Sequence, residues 1–217
     1  MTLLDFARGP ALEWSLIILV AGTFLRIVGT LLLRGKKDLS KPKVKSTAGG
    51  AIRTVFNRMW PRPHFAQQIS FPLMMAYIMH IGLFVVVFLY GPHIMFIKDL
   101  TGLSWGALPS SLIYFSGAAI VATMIALMIR RLTNPVLRMI STFGDYSSWL
   151  VTLLPVVTGM MAVSHLGARY ETMLALHLLS VELLFIWFPF SKLVHAIFTI
   201  PSRAHLGATF ERRGVKI

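Results

Sequence analysis

Four histidines in apolar parts of the sequence have the type and spacing to do chemistry. His80 and His93 lie in one apolar run, and His177 and His195 lie in or beside another near the C-terminus. Neutral imidazole is a common ligand of metal ions and of haem iron. A polar side chain in a membrane helix is costly, so each of these histidines should have a partner inside a helix bundle.

The second pair has a regular spacing. His177 and His195 are 18 residues apart, which is five turns of a continuous α-helix. Both side chains would then project from one face, roughly 27 Å apart along the helix axis. That separation is close to the thickness of the hydrocarbon core. The spacing therefore predicts one redox or metal site near each surface of a bilayer, with this helix as a shared wall.

The composition limits the class of protein. Of the 217 residues 56% are hydrophobic and 13% are charged, with a mean hydropathy of +0.72, which is typical of polytopic membrane proteins and excludes a soluble domain. The net charge of +13 resides in loops between apolar runs, where it indicates topology rather than nucleic-acid binding. The absence of cysteine excludes thiolate-held iron-sulfur clusters and c-type haem attachment within this chain.

Five apolar segments must position the histidines. The sequence predicts an all-α bundle of five membrane helices in a single domain, 1–217, of the cytoplasmic (inner) membrane, with helices at about 13–33, 71–97, 108–129, 146–163 and 173–200. The stretches after the first, third and fifth segments are basic, which predicts an external N-terminus and a cytoplasmic C-terminus. We expect the basic loop 34–62 to be partly helical.

The register of two antiparallel helices predicts how the histidines pair. Residues at equal depth on antiparallel neighbours have a roughly constant sum of residue numbers. His80 with His195 and His93 with His177 give 275 and 270, whereas the alternative pairs give 257 and 288. The sequence therefore predicts one pair nearer the cytoplasm and one nearer the outside. Buried histidines with structural or proton-relay roles are the alternative.

Three segments carry a resemblance to a known family. They read MHIGLFVVVFLYG around His80, RRLTNPVLRMISTFGD after the third helix, and LHLLSVELLFIWFPFSKLVHAIFTIP around the fifth helix. Over nearly its whole length the chain resembles the gamma subunit of respiratory nitrate reductases and the related di-haem membrane cytochromes b. The most specific part is the step of 18 residues that ends in FPFSKLVH.

The resemblance implies a function and a ligand set. It implies two b haems between the second and fifth helices, with His80 and His195 on the inner haem and His177 on the outer haem. Quinol would be oxidised near the outer haem, and electrons would pass to an iron-sulfur subunit docked on the cytoplasmic loops. The chain would then be an electron-transfer subunit whose only catalysis is quinol oxidation or, with the opposite electron flow, quinone reduction.

The fourth haem ligand is where the chain departs from that family. The nitrate reductase subunits carry a histidine ten residues after the first one, and here that position is Tyr90. His93 is the nearest substitute, although thirteen residues of ideal helix turn it about 220° from the face of His80. Pro92 can kink or end the helix and bring His93 back toward His177. The departure fits better a branch that serves heterodisulfide-reductase-like or sulfur-metabolism complexes.

Other polar residues are candidates for supporting roles. Lys98, Glu182 and Arg169 are candidates for a quinone site, because quinol oxidation needs a group that accepts a proton. Glu182 lies in the middle of an apolar helix, where an acid must be protonated or partnered. Arg130 and Arg203 are candidates for binding haem propionates on the inner side, or else for anchoring that side of the bundle.

Two other function classes remain open from the sequence. A haem-free transporter or anchor would use the histidines as a proton relay and would be colourless when purified. A membrane metalloenzyme would hold zinc or iron directly and would need three or more ligands at one depth.

Overall fold

The chain folds entirely into helices connected by short loops. The computed structural model describes residues 1–33, 35 and 38–215, and every regular element within them is helical. Five helices are long and apolar enough to cross a membrane: Leu3–Leu32, Pro63–Leu89, Ser110–Thr133, Phe143–Val163 and Tyr170–Phe190. The predicted all-α, five-helix fold is confirmed, and the chain is a multi-pass membrane protein.

The helices have the following bounds in chain order. They are α1 (Leu3–Phe6), α2 (Leu12–Leu32), α3 (Ala48–Asn57), α4 (Ala66–Leu89), α5 (Gly91–Thr101), α6 (Ser110–Thr133), α7 (Pro135–Ile140), α8 (Phe143–Val163), α9 (Tyr170–Trp187) and α10 (His195–Arg212). The third and fourth spans lie within a few residues of their predicted bounds. The other three differ in ways that matter for the histidines and for the N-terminal helix.

The first span begins ten residues earlier than predicted. Thr2 caps α1 through a reciprocal pair of hydrogen bonds with Asp5, which satisfies backbone amides that a helix start leaves free. A wide π-type turn, Ala7–Ala11, then joins α1 to α2. It contains Pro10, and Gly9 has non-helical backbone angles. Such turns widen a helix locally and are frequent at functional sites.

The second span ends earlier than predicted. α4 stops at Leu89, Tyr90 adopts an extended conformation, and α5 begins at Gly91 with Pro92 in its first turn. Proline is favoured in a first turn because its missing N–H has no intrahelical partner there. The predicted single helix over 71–97 is therefore two helices, and the break lies between His80 and His93.

The fifth span is also broken. α9 ends at Trp187 and is followed by two short 3₁₀ turns, Phe188–Phe190 and Lys192–Val194, before α10 begins at His195. Pro189 cannot continue an α-helix without losing a hydrogen bond, and Ser191 between the two turns is extended. The expectation that His177 and His195 share one straight helix is wrong, although both still lie along the same side of the bundle.

The helices pack in the order α4, α6, α8, α9, α2. The central core is formed by Ile120 and Met124 of α6 with Val156 of α8, and residues of α4 pack against them. At Gly82 of α4, an added Cβ would lie 2.7 Å from Ile120, so the glycine permits close packing of α4 on α6. Among the described residues, α4 and α9 do not pack closely on each other, and we call the space between them the slot.

One end of the bundle is basic, and we call it the basic end. It comprises α3, the connection between α6 and α8, and α10, which packs along α3. A Cβ on Gly207 of α10 would collide with the Gly50 carbonyl of α3, so the two helices cross at a pair of glycines. Arg53 and Glu211 form an ion pair of 3.8 Å across this crossing.

The loop before α3 is tied to the end of α10. Hydrogen bonds from the Ser40 hydroxyl and amide, and from Arg213 at 3.1 Å, lower the pKa of the Asp38 carboxyl to about 2. The Lys43 amide donates to the Arg212 carbonyl at 2.9 Å. The helix predicted within the loop 34–62 is confirmed as α3, and this loop forms one unit with the C-terminal helix.

Candidate functional site

The structure brings the four histidines together as two pairs. His80 of α4 faces His195 at the start of α10, with ring centroids 5.9 Å apart and ring planes at 83°; we call this the basic-end pair. His93 of α5 faces His177 of α9, with centroids 6.1 Å apart and planes at 12°; we call this the far pair. The pairing is the one that the register predicts.

The ring separations fit two imidazoles bound to one metal ion from opposite sides. A metal–nitrogen bond is about 2 Å and a ring nitrogen lies about 1 Å from the ring centre, so the two centroids would be about 6 Å apart. A direct hydrogen bond between two imidazoles would place them about 5 Å apart. The observed 5.9 and 6.1 Å match the first arrangement.

Each of the four rings is held through the same nitrogen. Nδ1 lies within hydrogen-bond distance of a backbone carbonyl in every case: His80 with Ala76 at 2.7 Å, His93 with Val86 at 2.8 Å, His177 with Pro155 at 3.0 Å and His195 with Lys192 at 2.8 Å. A carbonyl oxygen can only accept a hydrogen bond, so Nδ1 carries the proton and donates the hydrogen bond, and Nε2 keeps a lone pair that is free to bind a metal. This second-shell contact is typical of metal-binding histidines.

The remaining histidines differ. In the described part of the chain, none of the rings of His64, His165 and His205 makes such a hydrogen bond to a carbonyl. All three residues are exposed, but so are His80 and His195, so exposure does not separate the two groups. The contact to a carbonyl therefore distinguishes the paired histidines from the unpaired ones.

The break at Tyr90 positions His93. Because α4 ends at Leu89, the Val86 carbonyl lies in its last turn, where carbonyls have no intrahelical partner. The His93 ring forms a hydrogen bond with this carbonyl. The Tyr90 ring packs edge-on against the His93 ring, with ring centroids 5.2 Å apart. The carbonyls that hold the His80 and His93 rings, those of Ala76 and Val86, are ten residues apart on α4, so the two pairs lie at levels about 15 Å apart along that helix.

Helix α8 positions His177. A Cβ on Gly159 would lie 3.0 Å from Cε1 and 3.1 Å from Nδ1 of the ring, so only glycine allows this close approach. Thr158 makes a hydrogen bond of 3.0 Å with Ser180, whose hydroxyl in turn donates to the His177 carbonyl. Helix α8 thus fixes the His177 ring of the far pair, and the Thr158–Ser180 hydrogen bond joins α8 to α9 beside it.

The residue whose backbone carbonyl holds the His195 ring also belongs to an ionic cluster at the basic end. Asp145 closes the capping box that begins α8, and both of its carboxylate oxygens accept hydrogen bonds of 2.8 Å from Lys192. Arg131 approaches the same carboxylate at 3.8 Å. Lys192 also supplies the carbonyl that holds the His195 ring. Asp145 and Lys192 are not among the residues predicted from the sequence, although they are opposite charges at the basic ends of two apolar segments.

The slot between α4 and α9 has an apolar wall. Phe84 and Phe88 follow His80 by four and eight residues and so lie on its side of α4. Their rings are 5.1 Å apart, and their side chains are 58% and 40% exposed. This side of α4 offers an exposed apolar surface beside the basic-end pair.

The predicted arginines lie at the basic end. Arg130 is in the last turn of α6 and Arg203 is eight residues after His195 on α10, and both are half-buried. In the part of the chain that the structure describes, neither forms an ion pair. Both therefore lie at the same end of the bundle as the basic-end pair.

The predicted quinone-site residues do not form one site. Arg169 caps α9 and Lys98 lies in the last turn of α5, and both are exposed. Glu182 lies thirteen residues after Arg169, about 20 Å further along α9. It is only 4% exposed, and its Oε1 has no hydrogen-bond partner among the described residues.

No three histidine, cysteine, aspartate or glutamate side chains converge on one point within residues 1–33, 35 and 38–215. The four histidines considered above are grouped in twos, not in sets of three or more. A pair matches a group that supplies its own equatorial ligands, such as a haem, and does not match the three or four protein ligands of a zinc centre.

Comparison with known proteins gives one similar protein of nearly equal length. A protein of Nitratidesulfovibrio vulgaris (strain Hildenborough) is 26% identical over 211 residues, which cover 94% of this chain and 92% of the relative. No protein-family model matches the chain. No solved structure matches it either.

Proposed function

We propose that this chain is a di-haem membrane cytochrome b that carries electrons between membrane quinones and a redox partner at its basic end. The observation that supports this most strongly is the shared geometry of the two histidine pairs, with ring centroids about 6 Å apart and every Nδ1 occupied by a carbonyl. The resemblance to the nitrate reductase gamma subunit and its relatives points to the same function.

Each pair would hold one haem in the slot between α4 and α9. His80 and His195 would ligate the haem nearer the basic end, and His93 and His177 the other. Haem iron supplies the one-electron redox change. The protein supplies ligands with a fixed tautomer, apolar walls such as the Phe84 side chain, and two levels that together span part of the membrane. Arg130 and Arg203 would neutralise propionates at the basic end.

The basic end would face the cytoplasm. Basic loops are retained on that side of the inner membrane, and the unit formed by α3 and α10 presents several arginines there. An iron-sulfur subunit with an acidic surface would dock on this unit. With quinol oxidised at the other side, electron transfer across the two levels would contribute to the proton-motive force; the opposite direction would reduce quinone.

A histidine proton relay is the competing function, and the geometry supports it less. The pairs are too far apart for direct hydrogen bonds between rings, and each protonated nitrogen is already bound to a carbonyl. A relay would need its histidines to exchange these protons.

The test is reduction of the purified protein by a quinol. Detergent-solubilised protein is mixed with a short-chain menaquinol, and the b-type absorbance is followed in the wild type, His177→Ala and a control, His165→Ala, which changes an exposed, unpaired histidine. We expect quinol to reduce the wild type and the control, and the His177 variant to lose one b centre. Protein with haem that dithionite reduces and quinol does not would refute the link to quinones.

A further inference from the structure

A cleft on the other side of α9 from the far pair opens toward the lipid. It has a volume of about 390 Å³, within the range of small-molecule sites. The lining residues come from the N-terminal segment and from α9: Phe6, Pro10, Ala11, Trp14, Leu179, Glu182, Leu183 and Ile186. Pro10 and Ala11 belong to the π-type turn, so the widened backbone of that turn helps to form the cleft.

The cleft contains one acidic group in an apolar surround. Glu182 is 4% exposed, and its Oε1 is buried without a hydrogen-bond partner among the described residues. A buried polar atom that lacks a partner is destabilising, and native proteins rarely retain one without a reason. Glu182 lines the cleft, so a ligand that brings a hydrogen-bonding group into this apolar space could partner its carboxyl group.

The mouth of the cleft faces the bilayer. Trp14 is 65% exposed and Leu183 is 42% exposed, and both lie on membrane-spanning helices. A ligand would thus enter from the lipid phase. The acyl chain of a lipid fills apolar space but offers nothing to a carboxyl group at this depth, whereas a quinone head group is flat, apolar and carries two oxygens.

We infer that this cleft binds the head group of a membrane quinone or quinol, with Glu182 as its hydrogen-bonding partner. A carboxyl group can serve both redox forms: protonated, it donates to a quinone carbonyl, and its other oxygen accepts from a quinol hydroxyl. The inference rests on the proposed function for its choice of ligand, and it places the quinone at α2 and α9 rather than at the exposed Lys98 and Arg169.

The location is compatible with electron exchange with the far pair. Glu182 follows His177 by five residues, which is about 8 Å along α9 and about 140° around it. The quinone would be separated from the far pair by roughly the width of one helix, about 10 Å. It would also stay outside the slot between α4 and α9.

Binding of a defined quinone to the full-length protein in lipid nanodiscs tests the inference. The probe is 2,3-dimethyl-1,4-naphthoquinone, measured by isothermal titration calorimetry. Glu182→Leu removes the hydrogen bond, and Ala11→Phe fills the cleft without touching Glu182. Glu171→Leu makes the same change of residue type on the same helix at an exposed position. We expect the affinity to fall at least tenfold in the first two variants and to be unchanged in the third.

Folding and haem content separate this inference from the proposed function. Glu182→Leu replaces an unpartnered buried acid by an apolar residue, so the thermal stability of this variant should not fall. If its stability does fall, the quinone affinity of Ala11→Phe still tests the cleft independently. Unchanged affinity in both variants, or no binding to the wild type, would refute the cleft as the quinone site. A loss in Glu171→Leu alone would place the quinone at the first turn of α9 and also overturn it. In each case the number of haems per chain in the same samples reports on the proposed function separately.

Discussion

The contact between Gly159 and the His177 ring gives a graded test of the far pair. In Gly159→Ala the new Cβ would lie 3.0 Å from Cε1, and ordinary contacts begin at 3.4 Å, so the ring must move by about 0.4 Å. In Gly159→Val an added methyl reaches about 1.5 Å further, and the ring must move by more than 1 Å.

These displacements are large for a metal ligand. Bonds to a bound metal tolerate deviations of about 0.2 Å, and disturbing the shell around a ligand typically weakens metal binding about 10- to 100-fold. We therefore expect Gly159→Ala to retain less haem at the far pair and Gly159→Val to lose it, while the basic-end pair keeps its haem in both. The reason is that α8 approaches His177 at this glycine, whereas His80 and His195 are held by other carbonyls.

The assay is haem content per chain, with separate redox midpoints from a potentiometric titration of the b-type absorbance. Gly29→Ala is the matched control, since nothing lies within 4 Å of a Cβ added at that position of α2. Two haems with unchanged midpoints in Gly159→Val would refute the role given to the far pair. Loss of both haems with an intact fold would show that the two pairs are not independent.

Three further predictions concern the basic end. Lys192→Met removes the ion pair with Asp145. Because Lys192 is largely exposed, we expect the free energy of unfolding, measured by thermal unfolding, to fall by no more than about 1 kcal/mol. The haem content, measured by absorbance, should be unchanged. Gly207→Val forces α10 away from Gly50, so proteolysis between α2 and α4 should become faster while the spans stay intact. The pKa of Asp38 in the folded protein lies below its unfolded value near 4. The contribution of this carboxylate to stability is therefore complete above pH 4 and is lost only as the pH falls toward 2. Proteolysis of the loop at residue 38 should be equal at pH 5 and pH 8, and Asp38→Asn should accelerate it at both.

The pairing of the histidines could be predicted, although the helix geometry behind it was partly wrong. The sums of residue numbers depend only on the antiparallel direction of the two segments, so they survive local breaks. The five continuous turns between His177 and His195 do not exist, because the helix breaks at Pro189. The run from Met173 to Ile200 is predominantly apolar, so its hydropathy does not reveal that break. Hydropathy locates a span but does not show where its backbone breaks.

The position of His93 also depends on a helix break that the sequence pattern does not locate. An ideal helix places it about 220° from His80, and only a break can bring it to His177. Pro92 indicated that a break was possible, but the extended residue is Tyr90, and the anchor is the Val86 carbonyl that the break leaves free. The hydrogen bond between the His93 ring and a carbonyl at the end of α4 depends on how the chain folds after the break, which cannot be inferred from residue spacing.

The cleft at Glu182 could be predicted only in part. An acid in the middle of an apolar helix was conspicuous in the sequence. Its neighbours were not, because Phe6 and Trp14 lie 168 or more positions away in the chain, and the turn that opens the cleft belongs to a segment expected to precede the first helix. Contacts between remote segments of this kind follow from packing and not from local pattern.

The central claim is that each histidine pair ligates one haem, and the most direct measurement is the number of b-type haems per chain. Protein purified from cells that make haem is assayed as the pyridine haemochrome, in the wild type, His195→Ala and His177→Ala. The account predicts two haems in the wild type and one in each variant. A wild-type protein without haem, or two haems that persist in either variant, would contradict it.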